Sequence, residues 1–191
     1  MTQTTFRTRS RLRKRRSAAT SCSRPRGAPG SPLANASYVR SPPRGPQKTY
    51  ESFANADPGA PLGREHEIAA LLGFLKRERV RNVVWITADV HYCAAHHYAP
   101  ERAAFTDFDP FWEFVAGPMH AGTFGPNALD ATFGPEVRFS RVPAKANRPP
   151  SDGLQFYGTL DVDPRTRALT AALHDVGGTK LWSTELAPAE G

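Results

Sequence analysis

Five segments of the chain carry a readable hydrophobic pattern. Across Arg64–Arg79, Ile68, Leu71, Leu72 and Leu75 fall at i, i+3, i+4 and i+7, one apolar stripe of a helix. Glu65 and Glu67 come early and Lys76, Arg77 and Arg79 late, the order that a helix dipole favours. Asn82-Val-Val-Trp-Ile-Thr87 is an unbroken β-branched and aromatic run, which predicts a strand buried on both faces. A helix feeding such a strand predicts an α/β layered fold.

From Leu154 to Val162 apolar and polar residues alternate, as they do in a strand. Asp163–Thr166 reads as a turn, Ala168–Val176 as a second strand, Gly177-Gly178 as a tight turn and Lys180–Leu186 as a third strand. Together they predict a β-meander on the flank of a sheet. Between these regions neither period lasts. Phe105, Phe108, Phe111, Trp112, Phe114, Phe124 and Phe133 are interspersed with Pro and Gly, which predicts a long ordered loop pinned by aromatics. Thr123-Phe-Gly-Pro126 returns as Thr132-Phe-Gly-Pro135, an echo too short for a repeat architecture.

Charge divides the chain. Residues 1–49 hold 12 Lys and Arg and no acidic residue, a net +12, whereas residues 50–191 hold 13 basic and 18 acidic residues, a net −5. The first segment has few large apolar side chains, too few to offset the entropy of ordering it, and is expected to be a disordered basic tail. Arg, Pro, Ser, Ala and Gly without one acid is also what GC-rich coding DNA gives out of frame, so a frame error or misplaced start is an expectation for residues 1–49. The block Arg11–Arg16 could bind phosphate backbones, but nucleic acid is the least supported partner. Arg15-Arg16 imitate an export signal, yet residues 17–24 lack the apolar stretch that one needs. No run approaches the roughly 18 apolar residues of a membrane-spanning helix.

Cys22 and Cys93 are the only cysteines. That excludes a disulfide framework and a cysteine-built zinc site. With no phosphate-binding glycine loop and no Gly-x-Ser-x-Gly elbow, chemistry must come from His and carboxylates. Ala88-Asp89-Val90-His91-Tyr92 directly follows the predicted buried strand, where α/β folds gather ligands. Asp89 and His91, at i and i+2, can point the same way, and an imidazole beside a carboxylate suits a mixed metal centre. Spacing alone equally allows a capped strand end with a hydrogen-bonded His. His96, His97 and His120 lie close by in sequence. Adjacent His96 and His97 cannot easily serve one metal, while His66 and His174 read as surface.

Further stretches add a resemblance. They are Pro61–Glu65, Asn82–Tyr92, Ala94–His96, Phe111–Pro118, His120–Asn127 and Leu154–Gly158. With them, residues 55–186 resemble the C-terminal part of the alkaline phosphatase D (PhoD-like) family of metallophosphoesterases. The resemblance implies part of an α/β/β/α sandwich with the C-terminal meander, and hydrolysis of phosphomonoesters or phosphodiesters. It implies iron and calcium as cofactors, with His91 on the iron-like site and Asp89 on the calcium-like site. His96 and His120 become catalytic candidates, facing phosphate or supporting ligands. The family is typically exported or periplasmic. In this family the first half of the domain supplies most metal ligands. No acidic residue precedes Glu51 here, so the expectation is a C-terminal fragment (residues 50–191) with an incomplete site that does not retain iron and calcium alone and is inactive alone. A non-catalytic remnant or interaction module is the alternative, and the oligomeric state is left open.

Overall fold

The structure, a computed structural model, describes residues 59–63, 65–87, 91–126, 129 and 131–189, and the backbone of residues 6–9. It is mixed α/β, with one helix and two four-stranded sheets among the described residues. Helix α1 spans Glu65–Arg77 and buries Ile68, Ala69 and Leu72, the stripe expected from the spacing. Leu71 and Leu75 flank that stripe, half-buried.

The central sheet runs β2–β4–β3–β5, with β2 at Val84–Thr87, β3 at Cys93–Tyr98, β4 at Phe111–Val115 and β5 at Pro135–Arg141. β2 and β4 are parallel, and β3 is antiparallel to both β4 and β5. The second sheet runs β1–β6–β7–β8, where β1 is Phe6–Arg9, β6 Phe156–Val162, β7 Leu169–Asp175 and β8 Lys180–Leu186. β6, β7 and β8 form the expected antiparallel meander, while β1 joins β6 in parallel.

Strand alternation on the central sheet builds three layers. Phe111 of β4, Tyr98 of β3 and Trp85 of β2 pack with Ile68, Ala69 and Leu72 of α1, together with Phe108 and Phe133. The opposite face sends Cys93, Ala95 and Phe114 against Phe156, Leu160, Ala171 and Leu173 of the second sheet. Trp182 of β8 bridges the sheets, lying 5.8 Å from Trp112 and 6.0 Å from Phe139, ring centre to ring centre.

Four expectations need correction. β2 is not buried on both faces: it pairs only with β4 among the described residues, and Ile86 at this edge is 43% exposed. The aromatic middle is not one loop, because Phe111–Val115 forms the strand at the heart of the sheet. Apart from Glu113 its residues are apolar on both sides because both sides are covered, so no alternation marked it. The meander does not flank the central sheet but forms a sheet of its own, packed face to face with it. Finally, disorder does not hold for the whole basic segment, since residues 6–9 pair with β6 from Gly158 to Asp161. The rest of residues 1–49 lies outside the described residues.

Candidate functional site

The parallel strands β2 and β4 end side by side, Thr87 opposite Val115, and β3 starts at that same edge with Ala94 opposite Val115. Residues 91–92 and 116–126 therefore meet at one edge of the sheet, the edge where α/β folds bind ligands. His91 and Tyr92 enter β3 here, and residues 116–126 leave β4 here.

His91 is half-buried and tied to the second of these loops. Its Nδ1 lies 2.5 Å from the carbonyl oxygen of Gly122, and its own carbonyl accepts the Phe124 N–H at 3.0 Å. The Phe124 ring meets the imidazole edge-on, with centroids 5.3 Å apart. A carbonyl can only accept, so Nδ1 carries the hydrogen and Nε2 keeps its lone pair when the ring is neutral. This is how a ligating histidine is usually oriented by its surroundings.

The loop is itself anchored. Gln155, 4% exposed, donates from Nε2 to the Ala121 carbonyl at 3.1 Å and accepts the Ala121 N–H at 3.4 Å. The Phe156 N–H donates to Pro118, and Thr123 exchanges backbone bonds with Arg148. His120 rides on this anchored loop, exposed to solvent. The same loop carries Gly122, which bonds His91.

His96 lies elsewhere. Two residues inward from the strand ends, it stands opposite Glu113 on the face that carries α1, and it is 1% exposed. Its Nδ1 is 3.2 Å from Glu113 Oε2, which also accepts the Tyr98 hydroxyl at 2.7 Å. His97 points to the other face, its ring 5.0 Å from that of Trp112. Burial, then the nearby Arg102 and Arg138, hold the His97 pKa below the ordinary imidazole value, with Glu136 and Glu101 opposing. The two adjacent histidines thus cannot share a ligand, as expected. His66 is exposed. His174, expected at the surface, is half-buried, stacked on Tyr157 and bonded through Nε2 to Thr159 Oγ1 at 3.2 Å.

Asp89 lies outside the described residues. Among the described residues no three His, Cys, Asp or Glu side chains come together as a metal site. The residues present therefore fit one imidazole ligand at His91 and do not by themselves make a metal centre. A cavity of about 240 Å³ lies at the opposite end of β2 and β4, lined by Leu72, Lys76, Arg81, Trp85 and Asp109, and is not part of this site. Sequence reasoning missed Glu113 and Gln155. Glu113 sits in the middle of an aromatic run, where a lone acid in a buried strand was the available signal.

A profile of the PhoD-like phosphatase family matches residues 17–173. The chain belongs to that family of phosphatases. The matched span takes in the strand-end loops, His91, His96 and His120. Comparison with curated proteins and with solved structures finds no match.

Proposed function

We propose that the strand-end face is the imidazole side of a metal centre that hydrolyses phosphate esters, with His91 as its iron ligand and Asp89 as its calcium ligand. The observation that carries this reading is the His91–Gly122 bond, which leaves Nε2 as a lone pair at the carboxyl ends of two parallel strands. Metals held there would polarise phosphoryl oxygens and lower the pKa of a bound water. The protein's own part is to hold the His91 ring by backbone contacts and to present His120 from an anchored loop. In this reading His120 faces the phosphate, while His96 supports the site from beneath.

The α1–sheet–sheet stack is proposed to be part of an α/β/β/α metallophosphoesterase sandwich, formed by residues 50–191 and joined by β1 of the basic segment 1–49. The family match begins at residue 17, inside that segment. No acidic residue precedes Glu51, so the remaining carboxylate ligands are proposed to be missing and the chain alone to be inactive.

The test is hydrolysis of p-nitrophenyl phosphate and its bis-ester with iron and calcium added, beside metal binding. Weak, readily lost metal uptake that depends on His91, without turnover, is the expected result. Turnover well above a metal-only control would overturn the incomplete-site reading and keep the hydrolase reading. Neither uptake nor turnover would leave a non-catalytic remnant.

A further inference from the structure

Tyr92 follows His91 in the chain, and both limbs of the loop after β4 close on it. The residue is buried with Ala94 and Val115, and Val142 packs against that group. Where the loop leaves β4, a Cβ on Gly117 would lie 3.0 Å from the Tyr92 carbonyl carbon and 3.1 Å from the Cys93 nitrogen. Where it returns, a Cβ on Gly125 would lie 2.5, 2.9 and 3.2 Å from Cδ1, Cε1 and Cγ of the Tyr92 ring. Separations under 3.0 Å leave no place for a side chain unless a neighbour shifts. A ring held in a close-packed interior has little room to do so.

Between those limbs the loop carries the groups that hold His91. Gly122 accepts from Nδ1, and the Phe124 N–H donates to the His91 carbonyl oxygen at 3.0 Å. Gln155 holds Ala121, one residue before Gly122. The Phe124 bond ties the loop to the His91 backbone, but the imidazole needs a carbonyl at its own height. A hydrogen bond weakens steeply once its distance or angle departs from the narrow favourable range. The approach of Gly125 onto the Tyr92 ring sets how closely this limb of the loop can lie.

We propose that Tyr92 is a positioning residue for His91: its ring is the seat on which the loop rests at Gly125, and that seat keeps the Gly122 carbonyl within bonding reach of Nδ1. Its use in catalysis rests on the reading of His91 as a metal ligand, whereas the seat itself does not. The seat works by packing, so it needs the ring and not the hydroxyl. A ring fixed through Nδ1 keeps Nε2 in one direction, and a residue outside the ligand set supplies that orientation.

Proton NMR of the full chain, following solvent exchange of the His91 Nδ1–H, tests this. Tyr92→Phe keeps the ring and should exchange as the wild type does. Tyr92→Leu removes the ring and should exchange about tenfold faster, the change that loss of one net hydrogen bond gives. Gly125→Ala should produce the same loss from the loop side with Tyr92 intact. The amides of α1 should exchange at the wild-type rate in all three. A wild-type rate for His91 in Tyr92→Leu or Gly125→Ala would overturn the proposal, and so would an equal loss in Tyr92→Phe. Acceleration that extends to α1, or unfolding of both Tyr92→Leu and Gly125→Ala, would overturn it too, because the pair would then hold the domain rather than the loop. A wild-type chain without a protected Nδ1–H would remove the His91–Gly122 bond and the ligand reading with it. Failure confined to the variants leaves that reading standing.

Discussion

The Nδ1–H of His91 donates to the carbonyl oxygen of Gly122, thirty-one residues further along the chain. A backbone acceptor at this position fixes the ring without adding charge, and it makes the β4-to-β5 connection part of whatever Nε2 binds. Replacing His91 removes the lone pair itself. Loss of an outer partner alone typically weakens a metal site by about 10–100-fold, so His91→Ala should cost at least that much affinity for iron. His66→Ala, at an exposed helical position, should bind as the wild type does. Titration calorimetry with both variants checks the assignment, and equal affinities would remove His91 from the site.

Gln155 connects the meander to the loop that carries His120. Its amide satisfies both backbone groups of Ala121, and removing it leaves those groups to find water. Gln155→Leu should lower stability by about 1–3 kcal/mol, the usual cost of stranded polar groups. The loosening should be local. Hydrogen exchange should rise in residues 119–124 and not in α1, and uniform acceleration would argue against an anchoring role.

The helix and the meander were legible because each has one face against a core and one against water or a turn, and the first strand after the helix because its β-branched and aromatic run is unbroken. Ile68, Leu72 and the alternation from Leu154 to Val162 carry that signal. β4 was not legible, since Phe111–Val115 is covered on both sides and its aromatics suit a pinned loop equally well. β3 reads Cys-Ala-Ala-His-His-Tyr, where small residues and paired histidines hide the alternation that places His96 and His97 on opposite faces. Of the site, Asp89-Val-His91 was visible as a motif after a strand. The Gly122 acceptor was not, because the contact is made by a backbone atom far along the chain.

Trp182 is the main aromatic contact between the sheets, stacking on Phe139 and tilting against Trp112 and Phe114. Truncating a large aromatic in a core costs about 3–5 kcal/mol. Trp182 is half-buried, which places Trp182→Ala near the lower end. The melting temperature should fall clearly, whereas Trp182→Phe should recover most of the loss. Urea titrations of the two variants give the comparison, and a neutral Trp182→Ala would mean that the second sheet is not held by this contact.

Gly134 shows why one loop position admits no side chain. Its φ is +59°, and a Cβ there would lie 2.6 Å from the Ala99 carbonyl oxygen and 2.7 Å from the Ala103 nitrogen. Both neighbours are backbone and cannot swing away. Gly134→Ala should therefore destabilise by more than the roughly 1 kcal/mol that left-handed geometry costs an L-residue. Gly153 has a φ of +76° with open space around its Cβ position. Gly153→Ala carries the conformational cost alone and should lose less. Equal losses in thermal melts would show that the backbone around Gly134 can move aside.

Cys93 is fully buried between the sheets, and burial pushes its thiol pKa up from 9.0 to about 12. Only the thiolate reacts with alkylating reagents, so native Cys93 should stay unmodified by iodoacetamide at pH 8 and react once the chain is unfolded. The same shift has a sign in stability. The folded state holds this proton more tightly than the unfolded state, so the two states differ in bound protons between pH 9 and about 12. Stability from this group is complete below pH 9 and falls as the pH rises through that window. Cys93→Ala also leaves a small cavity, but it removes this titration. Its unfolding free energy should decline less steeply above pH 9 than that of the wild type, and parallel curves would show that the buried thiol does not govern the alkaline limb.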